Sequence, residues 1–113
     1  MDDKSQPLYN LVGGRGNTLG TKCSSNITSG GSNSLMETSH SIVSGSYNKV
    51  KGTSNIVGGY NNNVTGSYNI VSGINNNSNG FGYSSLIGIG LKSNRDNQII
   101  LGKYNNINSK AIV

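Results

Sequence analysis

The four carboxylate side chains are where catalysis would be sought first, because Asp and Glu serve as general acids and bases. They are Asp2, Asp3, Glu37 and Asp96. Two are neighbours near the N-terminus, and the other two are far from them and from each other. Glycosidases and lyases gather acidic residues around one substrate, and these four are not grouped in that way. We therefore predict no catalytic residues and a protein that is not an enzyme.

The remaining groups with reactive chemistry are a single cysteine, Cys23, and a single histidine, His40. One cysteine cannot form an internal disulfide, and one histidine without neighbouring Cys or carboxylate ligands does not form a zinc site. We interpret both as incidental. The sequence predicts no metal and no cofactor.

Tyrosine and lysine side chains are better suited to binding, because aromatic rings and basic groups fit sugar and protein surfaces. The candidates for surface binding are Tyr47, Lys49, Lys51, Tyr60 and Tyr68. The alternative, that they are ordinary solvated residues, stays open. The formal charge of +5 is spread along the chain without a dense basic stripe. We predict no nucleic-acid partner, while attraction to anionic glycans or phosphates stays open.

The chain has no apolar run that approaches the length of a membrane span, so we expect no membrane insertion. The first residues, MDDKSQPLYN, are acidic where a secretion signal would be basic. We expect either no cleaved signal peptide or a chain that belongs to a longer protein. Only 32% of the residues are hydrophobic, a composition that would fit disorder if the order of residues had no period.

The order of residues does have a period, of seven, from Ser41 onward. The motif is N-x-V-x-G-x-x, and it runs through SIVSGSY NKVKGTS NIVGGYN NNVTGSY NIVSGIN NNSNGFG. A coiled coil is excluded, because most heptads have one apolar position and all carry Gly or Asn, which interrupt helices. The alternation of fixed and variable residues predicts a short strand, and the glycine predicts a corner. Asn suits a corner because it bonds nearby backbone and tolerates the left-handed conformation.

Two heptads make one coil, because the residue before each valine alternates between apolar and polar, as in Ile42, Lys49, Ile56 and Asn63. This pattern predicts an all-β solenoid, a parallel β-roll of 14-residue coils with two unlike short strands per coil. Successive side chains on a strand point to opposite faces, so the valines are predicted to fill the lumen. The predicted lumen residues are Val12, Val43, Val50, Val57, Val64 and Val71. The predicted outward stripe, an apolar interface, is Leu11, Ile27, Ile42, Ile56, Ile70 and Leu86.

The chain is predicted to divide into three segments. Residues 1–9 form an N-terminal extension and residues 10–84 form the β-roll repeats. Residues 85–113 form closing strands of the same domain, in the segments SLIGIG and QIILGKY. The final KAIV starts a strand without a following turn, which favours truncation.

The N-x-V-x-G heptads resemble the head repeats of trimeric autotransporter adhesins, the YadA-like repeats of haemagglutinin type, which are similar to repeats in phage and giant-virus fibre proteins. The resemblance covers most of residues 10–90, and NQIILGKYN at residues 97–105 resembles a segment that closes such repeats. It implies a left-handed parallel β-roll assembled as a homotrimer with the apolar stripe at the axis.

The function implied by this resemblance is that of a non-enzymatic trimeric fibre or head module on a virion surface or an extracellular cell surface. Such a module holds a structural spacing and attaches to a host-surface protein or glycan. The alternative is a bacterial adhesin head fragment that binds matrix protein or glycan. An ice-binding solenoid is a third class, but the sequence lacks the regular threonine ladder that would favour it.

Overall fold

The computed structural model describes residues 9–103 and shows parallel β-strands stacked as a solenoid. Within that range the strands are β1 (Leu11–Val12), β2 (Thr18–Leu19), β3 (Ile27–Gly31), β4 (Ser34–Ser39), β5 (Ile42–Ser46), β6 (Lys49–Thr53), β7 (Ile56–Tyr60), β8 (Asn63–Thr65), β9 (Ile70–Ile74), β10 (Ser85–Ile89) and β11 (Ile99–Lys103). The predicted extension, apart from Tyr9, and the end of the closing segment lie outside the described residues.

Two parallel sheets form the walls of the solenoid. The large sheet has the strand order β1-β3-β5-β7-β9-β10-β11, and the small sheet has the order β2-β4-β6-β8. Successive strands of the same sheet belong to successive coils, so the large sheet counts about seven turns. Isolated bridges from Asn63 to Asn77 and from Asn77 to Lys92 continue the small sheet past β8. The predicted β-solenoid of about 14 residues per coil is confirmed.

Coil length follows the sequence closely. Ile42 pairs with Ile56 and Ile56 pairs with Ile70, which are steps of 14 residues. Where a coil is longer, the extra residue is left out of the ladder, which resumes one residue later. One such residue is Glu37, which bulges from β4 where the pairing with β6 shifts between Met36 and Thr38.

The core is a single apolar column between the two sheets. Val43, Val57 and Val71 from the large sheet are buried with Val50 and Val64 from the small sheet. The same column continues at both ends through Cys23, Leu35, Leu86, Leu91 and Ile100. Five of the six residues predicted for the lumen are therefore buried there.

Buried asparagines form hydrogen-bonded columns at the corners. The Asn62 side-chain amide donates to Oδ1 of Asn48 at 3.0 Å and to the backbone carbonyls of Gly58 and Gly73 at 3.0 Å. Its Oδ1 accepts from the backbone N–H of Asn76 at 3.0 Å. One amide thus ties together three coils and satisfies backbone groups that the corner would leave unpaired.

At the corners that carry a repeat asparagine, the residue before the asparagine is left-handed and the asparagine itself is not. Tyr47 has a φ of 58° and precedes Asn48, and Tyr68 has a φ of 63° and precedes Asn69. Turning the chain one residue earlier leaves the asparagine pointing inward, where its amide reaches the neighbouring coils.

One predicted placement is wrong, and a second residue lies in the predicted row but is less buried than expected. Leu86, predicted to face outward, is fully buried, because it pairs with Val71 in the ladder and Ile87 takes the outward position beside it. Val12, predicted to lie in the lumen, is 46% exposed. It pairs with Thr28 on one side and lies on the first strand of the large sheet, so no second strand of that sheet covers it.

Candidate interaction surfaces

The outer face of the large sheet carries a straight apolar column. It consists of Leu11, Ile27, Ile42, Ile56 and Ile70, each paired with the next in the parallel ladder. Between 46% and 68% of each residue is exposed. Parallel strands set such neighbours about 4.8 Å apart, so the side chains form a continuous apolar ridge.

Small residues flank the apolar column. Two positions further along each strand, Ser44, Gly58 and Ser72 occupy neighbouring rungs of the same face. These side chains do not project far, so another flat surface can approach the isoleucines closely. The column is therefore accessible along the middle of the sheet, although Ser85 interrupts it at β10.

The apolar surface widens toward β11, which sequence reasoning missed. Ile74, Ile87 and Leu101 are between 41% and 49% exposed, and Tyr60 pairs with Ile74 on the same sheet. The signal for Ile87 was present in the motif, because Leu86-Ile87-Gly88 matches V-x-G and fixes Leu86 as the lumen residue.

The outer face of the small sheet is polar at the equivalent positions. Ser34, Lys49 and Asn63 pair in one row, which the isolated bridges extend to Asn77 and Lys92. A groove of about 340 Å³ lies on this face. It is lined by Ser34, Met36, Lys49, Val50, Lys51, Asn63, Val64 and Thr65.

The lysines in and beside the groove differ in whether they have a carboxylate partner. Nζ of Lys51 lies 3.1 Å from a carboxylate oxygen of Glu37, and Nζ of Lys22 lies 3.9 Å from the other oxygen. The hydrogen bond and the positive charge of Lys51, with a smaller contribution from Lys22, hold the pKa of Glu37 below its usual value. Lys49 has no ion pair within residues 9–103 and so carries an uncompensated charge.

The candidate tyrosines lie at corners, in two separate places. The rings of Tyr47 and Tyr60 meet edge to face with centroids 5.6 Å apart. Tyr68 lies at the opposite corner and stacks on Tyr83, with centroids 5.0 Å apart. Tyr83 was not among the sequence candidates. The two lysines lie together on β6, so the five predicted binding residues are spread over three places on the surface.

The reactive groups stay dispersed in the folded chain. Oδ1 of Asp96 accepts a hydrogen bond from the backbone N–H of Gly82 at 2.8 Å, whereas Glu37 pairs with lysines. Cys23 is buried and His40 occupies a left-handed corner. Among residues 9–103, no three His, Cys, Asp or Glu side chains come together as a metal site. The same part of the chain contains no helix long and apolar enough to span a membrane.

Comparison with known proteins does not assign the chain to a family. No family model matches the sequence, and a search of curated proteins finds no match either.

Proposed function

We propose that this chain is a non-enzymatic, homotrimeric module of a fibre or head on a virion surface or an extracellular cell surface. In this proposal the solenoid is a left-handed β-roll, and three copies pack their apolar columns around a common axis. The module holds a fixed spacing and attaches to a host-surface protein or glycan. The observation that carries the proposal is the contrast between the apolar outer face of the large sheet and the polar outer face of the small sheet.

The exposed column leaves hydrophobic free energy unused in a single chain. Fully burying an isoleucine contributes about 1.5–3 kcal/mol, and Ile42, Ile56 and Ile70 are still about half exposed. Burying the remaining half of each side chain would contribute about 1 kcal/mol. Aligned exposed apolar residues of this extent are typical of interfaces rather than of solvent-facing surfaces.

The width of the column favours three chains over two. Across the middle coils the column is one residue wide, with Ser44, Gly58 and Ser72 beside it. A two-chain packing of whole faces would bury the hydroxyls of Ser44 and Ser72 against the partner chain. Three narrow ridges that converge on an axis bury the isoleucines and leave the flanking residues at the edge, which also agrees with the resemblance to trimeric adhesin repeats.

The test is the solution mass of three proteins, measured by light scattering over a range of concentrations. We expect three chains for the wild type and dissociation for Ile56→Lys, because burying an ammonium group without a partner costs several kcal/mol. Ile56→Ser is the milder variant, since Ser85 occupies the same position in its own coil. We expect it to dissociate at higher protein concentration than the wild type.

Asn63→Lys is the matched control, because Asn63 faces outward from the small sheet and is exposed. It should remain trimeric. A wild type that is a folded monomer at every concentration would overturn the trimer, and so would equal dissociation of Ile56→Ser and Asn63→Lys.

A second candidate is a bacterial adhesin head fragment that binds matrix protein or glycan. The exposed stacked pair of Tyr68 and Tyr83 favours it, because adjacent aromatic faces offer a rigid surface to sugars and proteins. Matrix-protein and glycan binding assays of the wild type beside Tyr83→Ser test this candidate. Binding that the variant loses would support it, and no binding by the wild type would leave the scaffold role.

A further inference from the structure

The groove on the small sheet contains polar side chains that make no hydrogen bond within the described residues, unlike the buried polar side chains at the corners. At the corners, amides such as that of Asn62 are fully hydrogen-bonded within the fold. In the groove, the Ser34 hydroxyl, the Lys49 ammonium and the Asn63 amide make no side-chain hydrogen bond within residues 9–103. These groups contribute nothing to the ladder and are available to a ligand.

We propose that this groove binds an acidic saccharide, with Lys49 as the anchor for a sugar carboxylate or sulfate. Lys49 is the ammonium in the groove without a carboxylate partner, since Lys51 is held by Glu37 at 3.1 Å. A charged donor bonds an anionic oxygen more strongly than a neutral donor does. The Asn63 amide and the hydroxyls of Ser34 and Thr65 supply neutral donors and acceptors for sugar hydroxyls.

The groove also has the size and the apolar content that a sugar requires. Its volume of about 340 Å³ lies at the small end of the range for small-ligand sites, about 300–1,000 Å³. Met36 and the methylene stem of Lys51 line it beside the polar groups, and such surfaces pack against the apolar face of a sugar ring. An inorganic anion would use Lys49 alone, whereas a saccharide uses the whole lining.

The site deepens the proposed function and rests on it in one respect. If three chains pack through the large sheet, the small sheets face outward and present three grooves. Linked sites raise the apparent affinity for a surface that carries many copies of the ligand. A shallow groove that binds one saccharide weakly would then suffice for attachment.

The experiment is a titration followed by amide chemical shifts, with sialyllactose as the carboxylate probe, a sulfated heparin hexasaccharide as the sulfate probe, and lactose and sodium sulfate as controls. We expect saturable shifts at Ser34, Lys49 and Asn63 with one or both acidic saccharides. Lys49→Gln should weaken this binding at least about tenfold, which is the loss expected for one charged hydrogen bond.

Arg15→Gln is the matched control, because it removes the same charge from an exposed residue that does not line the groove. It should change the affinity less than about twofold. Equal weakening by both variants would reduce the effect to net charge and overturn the site. No saturable shift in the groove with either acidic saccharide would overturn it, as would sodium sulfate binding as tightly as they do.

The per-site affinity does not depend on assembly, so the two proposals fail separately. Ile56→Ser at a concentration where it is dissociated should keep the groove shifts in solution but lose retention on an immobilised acidic glycan. A monomeric wild type that still binds through Lys49 would support the saccharide site and refute the trimer. A trimer whose groove shows no chemical-shift changes would refute the saccharide site and leave the trimer supported.

Discussion

Replacing a single corner glycine should destabilise the solenoid strongly, and Gly59→Ala tests this directly. Gly59 has a φ of 112°, and a Cβ built there would lie 2.0 Å from the carbonyl oxygen of Gly73 in the next coil. The left-handed strain alone costs about 1–3 kcal/mol. The carbonyl must also move away, which weakens one or two ladder hydrogen bonds of about 1 kcal/mol each.

We therefore expect Gly59→Ala to lower the free energy of unfolding by at least about 3 kcal/mol, out of a total that is about 5–15 kcal/mol for a domain. Gly58→Ala is the matched control on the same strand. Its Cβ would meet only Oγ of Ser44, at 3.7 Å, and the neighbouring rungs already hold the Cβ atoms of Ser44 and Ser72. It should stay within about 0.5 kcal/mol of the wild type.

The assay is urea denaturation followed by circular dichroism at one chain concentration, with the solution mass measured beside it. Each kcal/mol lost should also lower the melting temperature by roughly 4 °C for a chain of this size. The free energies of unfolding of Gly59→Ala and Gly58→Ala should differ by more than about 1 kcal/mol, which is near the median cost of an ordinary substitution. A smaller difference would mean that the close approach of successive corners is not the reason for glycine at position 59.

Two further predictions concern the corner amides and the ion pair. Asn62→Ala removes the acceptor for the Asn76 N–H and the donor to the partly buried carbonyls of Gly58 and Gly73, so it should cost about 3 kcal/mol in denaturation experiments. Asn61→Gly, at an exposed left-handed position, should cost less than about 0.5 kcal/mol. Lys51 holds the pKa of Glu37 below its unfolded value. The stability contributed by the Glu37–Lys51 pair is therefore present above the unfolded pKa and is lost as the pH falls through the folded pKa. Carboxyl NMR titration should show the low pKa in the wild type and a higher pKa in Lys51→Ala, and an unchanged pKa would contradict the assigned pair.

The lumen and the coil length were predictable because one small set of residues meets the same requirement in every coil. Each strand needs a valine that alternates with outward residues and a glycine two positions after the valine, so the period is visible directly in the amino-acid sequence. Leu86 was misplaced because the coil before it has one extra residue, with Ile70 pairing to Ser85 at a step of 15. Counting by sevens fails there, whereas aligning Gly88 with Gly73 gives the correct face.

The interaction surfaces were only half predictable, for a different physical reason. Lys49 and Lys51 could be named from the sequence because charge is a property of single residues. The groove depends on how strands β4, β6 and β8 lie beside one another, and Asn63 and Thr65 carry no signal that separates them from other polar repeat residues. Likewise, the stacking of Tyr68 on Tyr83 depends on an inserted residue that breaks the repeat between them.

The fold separates what holds the coil together from what the coil can contact. The coil is held together by lumen valines, corner glycines and corner asparagines, which face inward or bond the backbone. Both halves of a coil need these residues, whichever residues lie on the outer surface. The outward residue before each valine is free of that requirement, and it is apolar at Ile56 but polar at Asn63. Because a 14-residue coil contains two such positions on opposite sheets, one repeat specifies one apolar and one polar surface. In the assembly and saccharide binding that we propose, the two roles use different faces, and a change in one face need not disturb the other or the core between them.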